Sequence, residues 1–160
     1  MIAKLVRRFF GDKEMGDVRE CFSKFGLLVH DKPGHLAHNK AVERVQFLQE
    51  ELNELVDAFM VHDLDGQADA LIDLVYVAKG TAVMMGLPWE KLWDDVQRAN
   101  MSKVRGVGKR GHKVDLVKPP GWQGPHTGHI LQVAGYVEEE WLTPMGELKH
   151  RVGRDDVHGE

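Results

Sequence analysis

The sequence predicts an all-α protein with four main helices and an irregular tail. Three observations lead there. Four successive segments repeat apolar residues every three or four positions. One of these segments is apolar almost all round, as a helix inside a bundle would be. Glycine and proline gather after residue 105, where the periodicity ends.

Residues 13–30 form the first expected helix, with Val18, Cys21, Phe22, Phe25 and Leu28 or Val29 at helical spacing. Asp31-Lys-Pro-Gly-His35 then reads as a turn. Residues 36–62 form the second helix, striped by Val42, Val45, Leu48, Leu52, Leu55, Val56 and Phe59. A short connector follows, with Asp65 as the expected N-cap. The third helix, 66–86, is the apolar one and is expected to be buried. Gly86-Leu-Pro88 ends it, and Pro88 suits the first turn of the fourth helix, Trp89 to Lys103. Residues 105–128 read as a loop-rich segment, and 129–142 fit either a short strand or a helix.

Composition narrows the class. The chain has 160 residues, 42% of them hydrophobic and 29% charged, values typical of a globular domain. No apolar run approaches the roughly 18 residues that span a membrane. Lys4, Arg7 and Arg8 interrupt the apolar opening, which excludes a signal peptide reading. The one cysteine, Cys21, rules out an intrachain disulfide and suggests a reducing cytoplasm. The net charge of −4 resides in residues 138–160; residues 1–137 carry 18 acids and 18 bases.

Carboxylates supply the strongest chemical signal. In Gln49-Glu50-Glu51-Leu52-Asn53-Glu54-Leu55, Glu51 and Glu54 are neighbours at i, i+3 and Glu50 and Glu54 at i, i+4, with Asp57 extending the row. A solvated acidic face would look the same. Asp73 sits in the most apolar helix, with Asp69 one turn earlier and Tyr76 and Gly80 continuing that face. Burying an ionised carboxylate without partners costs on the order of several kcal/mol. Asp73 is therefore paired (with Lys79, Arg44 or Arg98), protonated or bound to a metal. Packing the two helices antiparallel would gather up to four carboxylates. Such an all-oxygen set suits Mg²⁺ or Mn²⁺ and points to phosphate chemistry.

Asn100 and Lys103 share a face at the end of the fourth helix and suit phosphate and sugar oxygens. An ordinary helix C-terminus also favours Lys. The basic stretch Lys103, Arg105, Lys109, Arg110, Lys113 and Lys118 holds only Asp115 as an opposing charge. It could bind nucleic acid or reach over a triphosphate. Gly106-Val-Gly-Lys109 is not a phosphate-binding P-loop, because Lys103 and Arg110 stand where Gly and Ser or Thr are required. His126 and His129 have no supporting His or Cys pattern for zinc. Trp89 and Trp93 read as core; Trp122, in Pro-Pro-Gly-Trp, reads as a loop residue able to cover a base or a subunit contact.

Together the segments Phe47–Ala58, Asp69–Ala82, Trp93–Val104 and Lys113–Trp122 resemble the all-α nucleoside triphosphate pyrophosphohydrolases. These include MazG-like proteins, dimeric dUTPases and phosphoribosyl-ATP pyrophosphohydrolases, and the last segment looks like the phage-type MazG-like members. The resemblance implies a four-helix MazG-like domain over residues 1–128 that dimerises or tetramerises, and a peripheral or intersubunit extension over 129–160. It implies the reaction NTP + H₂O → NMP + pyrophosphate, in the cytoplasm (the host's, for a phage protein). Glu51, Glu54, Asp69 and Asp73 would hold Mg²⁺, with Mn²⁺ able to substitute. Glu50 or Glu54 would orient the attacking water. Asn100, Lys103, Lys109, Arg110, Lys113 and Tyr76 would contact substrate. The family motif pairs ExxE with ExxD; here Ala70 stands at the third acid's place, and Asp69, one residue earlier, is expected to serve instead. A deoxynucleotide, with dGTP slightly preferred, is the expected substrate. Two other readings stay open: phosphoribosyl-ATP as substrate, and a non-catalytic nucleic-acid-binding module using residues 103–118.

Overall fold

A computed structural model describes residues 12–107 and 115–137. Five helices and one two-stranded sheet occur among them. Helix α1 spans Lys13–Lys24, α2 His38–Met60, α3 Leu64–Met84, α4 Trp89–Met101 and α5 Thr127–Val133. Strands β1, Val104–Gly106, and β2, Asp115–Val117, pair antiparallel with Arg105 opposite Leu116. The all-α expectation holds. No helix among the described residues is long and apolar enough to cross a membrane.

The boundaries differ from expectation for identifiable reasons. Helix α1 stops six residues early because the Leu27 amide folds back to the Phe22 carbonyl at 2.8 Å, with Gly26 between them at φ +67°. Helix α3 starts two residues early. Its N-cap is Asp63, not Asp65: the Asp63 carboxylate accepts from the Asp65 and Gly66 amides at 3.1 and 3.2 Å. The segment expected to be loop contains the β1–β2 hairpin, whose strands of three residues are too short to show an alternating pattern. Residues 127–133 are helical, so α5 straddles residue 128 and settles the strand-or-helix question there.

Helices α2 and α3 form an antiparallel hairpin, and α1 packs across the C-terminal half of α3. Met15, Val18 and Phe22 of α1 close a small core with Ala82, Val83 and Met84 of α3; Leu36, Leu87 and Trp89 border it. At the crossing, Gly80 leaves no room for a side chain: a Cβ there would lie 2.7 Å from Phe22 Cζ. Beside this core, Lys79 is only 6% exposed. Its ammonium donates to both Asp12 carboxylate oxygens, at 3.0 and 3.1 Å, and to Glu14. Burial raises the Asp12 carboxyl's pKa, but the Lys79 and Met15 donors outweigh it and hold the group below its ordinary value. The Asp12 amide in turn donates to Glu90 of α4 at 2.6 Å, so one buried lysine joins three helices.

Helix α3 is not buried all round, as its composition suggested. Ile72 is 67% exposed, and Leu71, Val75 and Tyr76 are also open. On α2, Val45, Leu52, Val56 and Phe59 form a second open stripe. Among the described residues, the remaining elements leave both stripes open. Trp93 is likewise half exposed, stacked on Trp89 rather than enclosed.

The α2–α3 turn carries one strained residue. His62 has φ +57° where a helix end normally places glycine, and the Asp63 amide bonds the Ala58 carbonyl across it at 2.9 Å. Left-handed backbone costs a residue with a Cβ about 1–2 kcal/mol, part of which glycine's unfolded-state freedom offsets. His62→Gly is therefore expected to raise unfolding stability by about 0.5–1 kcal/mol in a denaturant titration.

Candidate active site

The register of the α2–α3 hairpin determines which carboxylates meet. At the turn end, Gln67 Nε2 donates to the Ala58 carbonyl at 3.2 Å. At the open end, Arg44 Nε donates to Thr81 Oγ1 at 3.0 Å and Nη2 to the Val77 carbonyl at 2.8 Å. Between these anchors Glu51 comes level with Asp73, and Glu54 with Ala70.

Glu51 is the centre of the cluster. Its Oε2 is buried and has no hydrogen-bond partner. Burial lifts the carboxyl above its ordinary pKa, and the charges of Asp73, Glu54, Glu50 and Asp69 lift it further, in that order. The four acids expected to bind metal, Glu51, Glu54, Asp69 and Asp73, thus lie in one electrostatic neighbourhood, with Glu50 at its edge. Among the described residues, no three His, Cys, Asp or Glu groups converge closely enough to form a finished metal-binding group. The cluster is instead a set of hard oxygen donors with one orphaned oxygen and uncompensated negative charge. That donor set fits a divalent cation.

None of the cations expected to pair with Asp73 does so. Lys79 holds Asp12 and Glu14, six residues and 240° around α3 from Asp73. Arg44 is committed to Thr81 and Val77, with its guanidinium 5.3 Å from the Phe47 ring centroid. Arg98 Nε bonds Asp95 at 2.7 Å. Asp73 itself is half-buried. Ala70 is 2% exposed against α2, whereas Asp69 stands on the exposed side. A one-residue displacement turns a side chain by about 100° around the helix. That turn puts Asp69 at the rim of the cluster.

The expected substrate contacts among the described residues fall on two elements, Tyr76 on α3 and Asn100 with Lys103 at the end of α4. Tyr76 is beside Cys21 of α1, whose sulfur is the main cause of a raised phenol pKa; burial adds to it. Asn100 is exposed at the end of α4, and Lys103 follows just beyond. Lys109, Arg110 and Lys113 lie outside the described residues.

The loop 118–126 is where sequence reasoning missed most. Pro119-Pro-Gly-Trp122 is a tight turn: the Trp122 amide bonds the Pro119 carbonyl at 3.0 Å, and Gly121 has φ +75°, which a side chain would oppose. Trp122 Nε1–H donates to the Ala99 carbonyl at 2.9 Å, so the indole sits on the last turn of α4. Asp95 and Arg98 hold the far end of the loop. Arg98 donates to the Gly124 carbonyl at 2.9 Å, and Asp95 accepts from the His126 amide. The Arg98 bond to Asp95, and then the His126 amide, keep the Asp95 carboxyl below its ordinary pKa. The i, i+3 spacing of Asp95 and Arg98 was the available sequence signal for this attachment. His126 serves in this attachment, at 3.5 Å from Asp95.

A family model described as phosphoribosyl-ATP pyrophosphohydrolase matches residues 18–100, from the first turns of α1 to the last turn of α4. No curated protein sequence matches the chain at a significant level. The matched span contains the carboxylate cluster and the helices that set its register. The hairpin and the Trp122 loop lie beyond it. With more than half of its length so matched, the chain belongs to the phosphoribosyl-ATP pyrophosphohydrolase family of the all-α nucleoside triphosphate pyrophosphohydrolases.

Proposed function

We propose that the protein is a metal-dependent nucleotide pyrophosphohydrolase. It cleaves the α–β phosphoanhydride bond of a (deoxy)nucleoside triphosphate to give the monophosphate and pyrophosphate. The observation that carries this reading is the orphaned, charge-crowded Glu51 carboxylate at the level of Asp73.

Glu51, Glu54, Asp69 and Asp73 would hold Mg²⁺, or Mn²⁺ in its place. The ion, when bound, offsets phosphate charge and makes water a better nucleophile. Glu50 or Glu54 orients a water and takes its proton as the water oxygen attacks the α-phosphorus. The bond from that phosphorus to the α–β bridging oxygen breaks, and the electron pair leaves with pyrophosphate. Lys103 holds the departing phosphates, and Asn100 the sugar or phosphate oxygens. The Arg44 clamp holds the register that sets Glu51 against Asp73.

The open apolar stripes on α2 and α3 support self-association. Large uncovered patches on a folded chain mark surfaces meant for a partner, and the resemblance implies dimers or dimer-paired tetramers. A deoxynucleotide such as dGTP is the preferred substrate here. The family match supports phosphoribosyl-ATP equally, since it has the same α–β bond to split.

The test is a panel of the common NTPs and dNTPs, dUTP and phosphoribosyl-ATP, incubated with Mg²⁺ and resolved by ion exchange. Monophosphate and pyrophosphate are expected. Chelation should abolish turnover, Mn²⁺ should restore it, and Asp73→Asn should reduce it at least about 100-fold. Failure of every substrate with either metal would sink the reading.

Glu51 makes a second prediction with an unusual sign. A carboxyl with a raised native pKa binds its proton more tightly folded than unfolded. The native state therefore loses stability as pH rises from the ordinary value of 4.5 toward the native one. Glu51→Gln should raise the melting midpoint of metal-free protein at neutral pH and flatten that decline, while removing hydrolysis. A lower midpoint at neutral pH would contradict the crowding argument.

A further inference from the structure

We propose that Trp122 seats a two-lysine clamp, Lys103 and Lys118, that binds a pyrophosphate-sized polyanion. The assignment of this anion to the departing pyrophosphate rests on the pyrophosphohydrolase reading above. Lys118 and Trp122 lie outside the family-matched span.

Three independent restraints place the indole. The Pro119–Trp122 turn delivers it, the Nε1–H bond to Ala99 orients it, and the Asp95–Arg98 attachment pins the loop beyond it. Two ammonium groups then converge on this one ring. Lys118 Nζ lies 4.6 Å from its centroid and Lys103 Nζ 5.7 Å. The π-face attracts each cation without neutralising it.

Among the described residues, no carboxylate lies within ion-pairing distance of either lysine. Two like charges held beside one ring repel, and a bound anion would reverse that term. The C-terminus of α4 accounts for Lys103 alone, because cations are favoured there. It does not account for Lys118, which the pairing of Val117 with Val104 brings beside Lys103 from the other strand. The carboxylate cluster makes the need for such a site acute. Glu51 and its neighbours repel a polyphosphate, so fixed cations must come from elsewhere in the protein. A lysine ammonium is a compact point charge suited to phosphate oxygens from several directions.

Titration calorimetry of the full chain with inorganic pyrophosphate, in chelator and without metal, tests the clamp. Wild-type protein should bind one pyrophosphate per chain. Lys118→Met should weaken binding about tenfold or more, the loss of one charge-assisted bond. Trp122→Leu should weaken it similarly, and Trp122→Phe, which keeps a ring but loses the Nε1–H donor, should fall between. Lys118 is exposed, so its variant keeps the fold even where Trp122→Leu disturbs it. Unchanged pyrophosphate affinity in Lys118→Met overturns the clamp, whether or not nucleotides are hydrolysed. Lys118-dependent binding in a protein that cleaves no nucleotide upholds the clamp and fells the pyrophosphohydrolase reading instead. Single-stranded oligonucleotide binding that depends on Lys118, with pyrophosphate affinity unaffected, also overturns it.

Discussion

The structure depends on the lateral bonding of Arg44 to α3. The guanidinium spans the helix pair near its open end, taking one side-chain and one backbone acceptor, Thr81 Oγ1 and the Val77 carbonyl. The Asp63 cap and the Gln67 bond to Ala58 fix the other end. Between these two anchors the helices cannot slide to relieve the repulsion among Glu51, Glu54, Asp69 and Asp73. Holding like charges together is a cost that local helix propensity does not offset. The register bonds and the α1–α3 core have to offset it. The cluster is thus a place where stability is given up, and such places are commonly where chemistry is done.

Much of this was legible in the sequence. The stripes of α2 and α3 are long, so their 3.6-residue period stood clear of noise, and the ExxE spacing placed Glu51 and Glu54 on one face. Asp73 announced itself as a carboxylate in an apolar run. Its neighbours were not legible, because which cation reaches which acid depends on tertiary register. Lys79 looked like a partner by proximity along the chain; helical geometry points it the other way, to Asp12. The burial of α3 was overestimated because apolar composition reports what a helix prefers to cover, not what the neighbouring helices reach. The hairpin escaped notice because three-residue strands show no period. The Trp122 loop offered a turn signal in Pro-Pro-Gly, but nothing local linked that turn to the end of α4.

Charge is sorted along the fold. Acids gather at mid-height on the α2–α3 pair; the cations Lys103 and Lys118 gather past the end of α4. Under the proposed reading the two surfaces would serve one nucleotide polyphosphate, carboxylates to hold a divalent cation and ammonium groups to meet phosphate oxygens. Buried Lys79, fully engaged with Asp12 and Glu14, belongs to neither surface and is a structural bolt. Its work is to hold the start of α1 and the start of α4 against α3.

The segment between α1 and α2 is attached by Val29 and Leu36, which pack against the core, by buried Pro33, and by its main chain. The His30 amide bonds the Val83 carbonyl, and the Gly34 amide bonds the Met85 carbonyl at 3.0 Å. Such bonds are indifferent to side-chain identity, and Leu27, Leu28, Asp31 and Lys32 are exposed. Directly beneath, Gly86 at φ +63° faces the Lys32 carbonyl so closely that any Cβ would lie 2.2 Å from its oxygen. Natural variation should therefore run freely at Leu27, Leu28, Asp31 and Lys32 and stop dead at the glycine under them: a permissive and a forbidding position lie face to face.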